Sequence, residues 1–251
     1  MKQTALNVTA IAIFTLTIAS LLGPPLGISP FLPAGIILAL LGLATLDNLG
    51  LQGQSSNLLL DWLTRTVGGS DYEDRIVHHE AGHFLVAYLL EIPITGYTLN
   101  AWEALRQGQP GQGGVSFDPT PLELDDQAQQ PEQNGAVAPR SERTLILERY
   151  GTVWMAGIAA EILMDGNAEG GGDDRRKFQL LCQALKDSAT EAQQRERWAQ
   201  LRARTLIEEH WAAYEALVEA MRARSSVQDC YGVICRHLVG ERGIHRQGTE
   251  K

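Results

Sequence analysis

The stretch "DRIVHHEAGHFLVAYLLEI", Asp74 to Ile92, sets His79 and His83 four residues apart, with Glu80 directly after the first. On a helix, positions i and i+4 face the same way. Two imidazoles can then reach one tetrahedral zinc ion, at Zn–N distances of about 2.0–2.1 Å. Zinc in such a place supplies Lewis acidity and lowers the pKa of water to near 7. Glu80 is placed to take a proton from that water and hand it to a leaving amine. The plain alternative is an amphipathic helix with surface histidines. A His-Glu-x-x-His match is rare by chance in a chain with 6 His, and this one lies where helical periodicity holds. His78 sits one residue off the stripe and reads as a neighbour rather than a ligand.

Two histidines do not complete a site, because zinc needs a third protein ligand and an open position. Downstream candidates are Glu161, Asp165, Glu169, Asp173, Asp174 and His210. The pair Asp173–Asp174 stands out because it ends the Gly-rich loop "DGNAEGGGDD", which can bring a helix start close to another helix. Spacing alone leaves the choice open.

The elements that must position these groups follow from periodicity. Ile76, His79, Glu80, His83, Val86, Ala87 and Leu90 form a stripe at spacings of three and four, which predicts a helix over 72–91. Pro93 stops it. The β-branched run "IPITGYTLN" (Ile92 to Asn100) and "GGVSFDP" (Gly113 to Pro119) are strand candidates. The Gln-, Asp- and Pro-rich segment from Leu122 to Arg140 reads as an exposed loop. A long helix is expected over Ser141–Met164, capped by Ser141, with Gly151, Ala156, Gly157, Ala159 and Ala160 allowing close packing. Further helices are expected over about Asp174–Lys186 and Glu191–Arg224, with a polar, frayed tail after Gly240.

The chain of 251 residues carries a formal charge of −9, which argues against a nucleic-acid partner, since phosphate binding wants a basic face. Three cysteines, Cys182, Cys230 and Cys235, make a poor disulfide framework and read as reduced, mostly structural thiols. Between Lys2 and Asp47 there is no charged residue. "ALNVTAIAIFTLTIASLLG" (Ala5 to Gly23) matches a bilayer core in length. "GPPLGISP" turns the chain, and a second apolar run follows to Leu46. The expectation is a transmembrane hairpin over 1–50, with spans at about 5–23 and 28–46, preferred over a cleaved signal peptide because no small-x-small site ends the first run. Lys2, Arg65 and Arg75 flank its outer ends, so both termini are expected to face the cytoplasm. A linker over 51–73 would follow. In it "NLLLDWLTRTV" reads as a short amphipathic helix near the membrane surface, and "GGSDYED" as a turn and helix start.

The motifs "HHEAGHFLVAYLL", "MAGIAAEIL" and "GGGDDRRKF" together resemble the peptidase domain of the FtsH family of membrane-bound, AAA-type zinc metallopeptidases. The resemblance covers about Asp74 to Ile234, and the helix "LIEEHWAAYEALVEAM" (Leu206 to Met221) looks like the family's C-terminal helices. It implies that Asp174 is the third zinc ligand beside His79 and His83, that Asp173 stands where the family has Asn, and that Glu80 is the general base. The departures are specific. The chain has no Gly-x-x-x-x-Gly-Lys-Ser/Thr phosphate loop and Ile158 stands where the family has Arg. ATP hydrolysis is therefore not encoded in this chain.

The expected fold is mainly α: a two-helix transmembrane hairpin, then a helical zinc metallopeptidase domain over 74–238 with a small edge β-element, then a polar tail over 239–251. The expected function is a membrane-anchored zinc metalloendopeptidase acting on unfolded or membrane polypeptides, with Zn2+ as cofactor. The soluble domain would face the cytoplasm, or the stromal side of a thylakoid, since small stand-alone members of the family are typical of phototrophs. Expected partners are polypeptide substrates, the membrane, and a homo-oligomer or a hetero-oligomer with a full-length FtsH-type protease. Two other readings compete. One is a non-proteolytic zinc-containing assembly partner of such a protease. The other is an intramembrane protease of the site-2 type using Asp165–Gly166, which the charged residues Asp74, Arg75 and Glu91 around the motif helix disfavour.

Overall fold

The computed structural model describes the backbone of residues 2–24, 54–106, 114–118 and 140–247, with isolated positions between 27 and 38. The fold is mainly helical, with one two-stranded antiparallel sheet among the described residues. The chain divides into two compact units: Met1–Ser70 with Asn100–Gly113, and Asp71–Leu99 with Gly114–Lys251.

The first unit holds helix α1 (Lys2–Leu22), the start of α2 (Gln54–Leu89) and α3 (Ala101–Arg106). Asn100 caps α3, its Oδ1 accepting from the Glu103 N–H at 2.7 Å. Helix α1 covers the first expected span and exposes Ile11, Ile13, Phe14 and Leu21. The second expected span, 28–46, lies largely outside the described residues. Among the described residues, no helix is long and apolar enough to cross a membrane. The expected turn at Gly68–Asp74 is corrected: α2 runs unbroken from Gln54 to Leu89. Gly68 and Gly69 weaken a helix by roughly 1 kcal/mol each, but strong helical pattern on both sides carries the chain through them.

The second unit is built around two buried helix segments. Residues 81–87 of α2 and 150–161 of α4 (Arg140–Asp165) are buried on all sides, as a helix is when other elements cover it all round. The stripe expected on α2 is thus wider than the sequence period suggests. Phe84 makes edge-to-face contacts with Tyr97 at 6.0 Å and Tyr231 at 5.7 Å between ring centroids. Small residues bring the two helices together: a Cβ on Gly82 would lie 2.6 Å from the Ala156 carbonyl oxygen. Gly151 leaves room in the same way for Phe178.

Strands β1 (Ile94–Thr98) and β2 (Gly114–Phe117) pair antiparallel, with Tyr97 opposite Val115 and Thr98 opposite Gly114. Helices α5 (Gly172–Ala184) and α6 (Ala189–Glu209) both pack on α4, and α7 (Trp211–Arg222) packs on α8 (Val227–Gln247). A capping box starts α6, with Ser188 and Glu191 exchanging hydrogen bonds. Three further expectations are corrected. Helix α4 begins at Arg140, so Ser141 lies inside it rather than at its cap. The single helix expected over 191–224 is broken at His210, whose φ of −119° and ψ of 37° end α6 and start α7. The tail expected to fray after Gly240 continues as helix to Gln247. The three cysteines are free, with Cys182 and Cys230 buried.

Three helices stop on a non-glycine residue in the left-handed region: Glu91, Lys186 and Arg224. Each carries the paired bonds of a Schellman motif. After α2, the Ile92 N–H reaches the Ala87 carbonyl at 2.9 Å and the Glu91 N–H reaches Tyr88 at 3.1 Å. A side chain at this position crowds its own backbone, and glycine does not. Lys186→Gly and Arg224→Gly are each expected to raise stability by about 1 kcal/mol, read as a higher urea midpoint with an unchanged slope.

Candidate metal centre

The α2 helix brings His79 and His83 onto one face, and the first turn of α5 brings Asp174 to meet them. The ligand atoms of these three residues lie within 4.8 Å of one another. Nε2 of His79 is 3.0 Å from Nε2 of His83 and 3.3 Å from Asp174 Oδ2, and His83 Nε2 is 3.5 Å from the same oxygen. A tetrahedral ion with bonds of about 2.0–2.1 Å spaces its ligand atoms about 3.3 Å apart. The three edges therefore form one face of such a tetrahedron, and the donor set of two imidazoles and a carboxylate suits zinc.

The far side of each imidazole is fixed. His83 Nδ1–H donates to the Val153 carbonyl at 2.7 Å. His79 Nδ1–H donates to Glu161 Oε1 at 2.5 Å. With both Nδ1 atoms donating to fixed acceptors, both Nε2 atoms are turned to the shared centre, the arrangement by which outer partners orient metal-binding histidines. Glu161 is itself held: its Oε2 accepts the backbone N–H of Glu169 at 2.8 Å and of Gly170 at 3.1 Å. Glu161 thus serves as an orienting partner of His79, not as a member of the three-residue group.

The electrostatics favour a cation at the centre. Burial would push the His79 imidazole down, but hydrogen bonds to Asp174 and Glu161, with the nearby Glu80 charge, more than reverse this and lift it to about 10. Burial would raise the Asp174 carboxyl, yet His83 and His79 hold it well below the usual carboxylate range. Glu161 is lowered for the same kind of reason, mainly by His79 and its two backbone donors against the cost of burial.

The backbone comes close wherever the centre needs space. A Cβ on Gly157 of α4 would overlap the metal-facing Nε2 of His79, and one on Gly170 would overlap Glu161 Oε1. Gly171 enters α5 at φ 77°, a conformation suited to glycine, where a Cβ would overlap Ile158. This tight turn buries Asp174 while leaving Asp173 exposed. The burial separates two neighbours that spacing could not.

The other candidates from the sequence do other work. Asp165 and Glu169 both pair with Arg75, at 3.3 and 2.6 Å, tying the Gly-rich loop to α2. His210 stands at the junction of α6 and α7, apart from the group. His78 is held by Tyr214, whose hydroxyl lies 3.0 Å from its Nδ1 and donates to its carbonyl at 3.1 Å. Glu80 points to the β-hairpin, its Oε2 accepting the Val115 N–H at 2.9 Å. Sequence reasoning missed Gly157, Val153 and Val115. Gly157 had been seen only as a small packing residue, and the other two act through backbone atoms that carry no signature in a side-chain code.

Outer partners of metal-binding histidines are worth 10–100-fold in metal affinity. Glu161→Gln is expected to weaken zinc binding by about that factor, measured by competition with a chromophoric chelator, while leaving the helical content unchanged. No family model matches this chain, and the search of curated proteins returns no match.

Proposed function

We propose that this chain is a membrane-anchored zinc metalloendopeptidase that hydrolyses peptide bonds in unfolded or membrane polypeptides, similar to the FtsH peptidase but without an ATPase in these 251 residues. The observation that carries the reading is the tetrahedral face formed by His79, His83 and Asp174, with Glu80 on the same helix. His79, His83 and Asp174 would hold the ion. Zinc, when bound, would polarise the scissile carbonyl and acidify water. Glu80 would take the proton from the attacking water as its oxygen bonds to the carbonyl carbon. The C–N bond would then break as Glu80 returns that proton to the departing amine. His83, anchored to Val153, and His79, anchored to Glu161, hold the centre rigid while charge develops.

Membrane anchorage rests on the uncharged run from Gln3 to Leu46 and on the apolar side chains that α1 exposes. The hairpin over 1–50 and its cytoplasmic or stromal orientation belong to the same proposal. So do association with further copies or with a full-length FtsH-type protease, and the exclusion of nucleic acid. The alternative is a non-proteolytic partner of such a protease that keeps zinc for stability, favoured by the missing phosphate loop.

Cleavage of a fluorescently labelled unfolded protein by the purified, detergent-solubilised chain tests the reading. Activity that a chelator abolishes and zinc restores supports it. A zinc-loaded chain that cleaves nothing, alone or with an ATP-dependent partner, turns the assignment to the assembly-partner reading.

A further inference from the structure

We infer that the backbone amide of Val115 is the positioning group for Glu80, making the β-hairpin a working part of the site rather than a decoration beside it. The inference rests on the metallopeptidase reading and deepens it. Glu80 follows a metal-facing histidine on α2 but is itself only partly buried, and a glutamate side chain has three rotatable bonds. A proton-transferring group must be held near its productive geometry. Among the described residues, the hydrogen bond given for the Glu80 carboxylate comes from Val115 and not from α2.

The hairpin does. Tyr97 and Val115 lie opposite each other in the β1–β2 register, yet the Val115 N–H points off the ladder and meets Glu80 Oε2 at 2.9 Å. A hydrogen bond to a charged acceptor is about twice as strong as a neutral one. It restrains one carboxylate oxygen and leaves Oε1 for the reacting water. The residue before it is Gly114, with φ 144°, where an L side chain is strained whatever the space around it. A Cβ there would still meet Glu80 Oε2 only at 3.6 Å, ordinary contact. The glycine is therefore required by the backbone shape that presents the next amide, not by crowding. The hairpin is in turn pinned from outside the sheet: the Ile94 N–H donates to the Tyr231 hydroxyl at 3.1 Å, and the Tyr97 hydroxyl donates to the Ser225 carbonyl at 2.5 Å. The Tyr150 hydroxyl donates to the Asp118 carbonyl at 3.1 Å, just past β2. These anchors come from α4, from α8 and from the turn before α8, so the position of Glu80 depends on those elements as well as on α2.

The test uses the full chain in detergent and two independent readouts. The first is hydrogen exchange at the Val115 amide in 15N-valine-labelled protein. Protection in the wild type, with exchange about 10–100-fold faster in Glu80→Ala, is expected. Equal exchange in the two proteins overturns the inference. This arm does not depend on catalysis, so a chain that binds zinc and cleaves nothing defeats the peptidase reading, while the exchange comparison still reports separately whether Val115 holds Glu80. The second readout is kinetic. Val115→Pro removes the N–H without removing a ladder bond, and Val115→Ala keeps it. The proline variant is expected to bind zinc normally and to lose about tenfold or more in kcat at a KM within twofold, with the alanine variant close to wild type. A proline variant with wild-type kcat overturns the inference. If the proline variant does not fold, the exchange comparison still decides.

Discussion

Glu80→Gln is expected to leave zinc bound at one ion per chain and to cut peptide hydrolysis by about 10²–10⁴-fold. The amide keeps the size and the hydrogen bond that the Val115 N–H donates to Oε2, so the side chain stays in place. What it loses is the capacity to accept a proton. Because His79, His83 and Asp174 form the metal-facing group without Glu80, zinc content is the internal control. A variant that holds zinc and keeps full activity would remove Glu80 from the mechanism. A variant that loses zinc would show that Glu80 supports the centre instead. The same substitution separates the two functional readings, since an assembly partner keeps its function when a proton acceptor is lost.

Gly157→Ala is expected to have the second-largest effect, at a residue that touches no substrate. The added methyl group would fall on Nε2 of His79, the atom that faces the centre. The imidazole must swing aside, and its Nδ1 bond to Glu161 Oε1 at 2.5 Å goes with it. Relief by backbone movement is restricted, because α4 is buried on all sides here and Gly82 already brings α2 against Ala156. Zinc affinity should fall by about 100-fold or more, since both a ligand and its outer partner are disturbed. Overpacking should also cost about 1–3 kcal/mol of stability. Chelator competition and urea unfolding measure the two losses separately. Gly151→Ala serves as the comparison: its methyl group would strike Phe178 and not an imidazole, so its cost should fall more on stability than on zinc affinity.

The sequence carried the centre further than the frame around it. His79, Glu80 and His83 announce themselves because a zinc-binding helix needs those residue types at that spacing. Asp173 and Asp174 were indistinguishable by spacing, and burial separates them because Gly171 turns the chain sharply into α5. Glu161 was visible as an acid near the site, but only the fold shows that it faces His79 Nδ1 rather than the shared centre. The strands were legible, β1 from a β-branched run and β2 from a short segment between glycine and proline. Helix limits were less so. Gly68 and Gly69 look like a turn locally, yet the helix passes through them. His210 looks like one more helical residue, yet the chain bends there. In both places a local preference of about 1 kcal/mol per residue does not fix where a helix ends. The hold of Val115 on Glu80 was not legible at all, since a backbone amide is the same in every residue but proline.

The most direct measurement is zinc per chain in the purified 251-residue chain, by elemental analysis, beside His83→Ala and Asp174→Ala. One tightly held zinc in the wild type, lost from both variants while their helical content stays, is the predicted result. A folded wild-type chain that takes up no zinc when given the metal, or variants that hold it as well as wild type, would contradict the metal centre and the hydrolytic chemistry built on it.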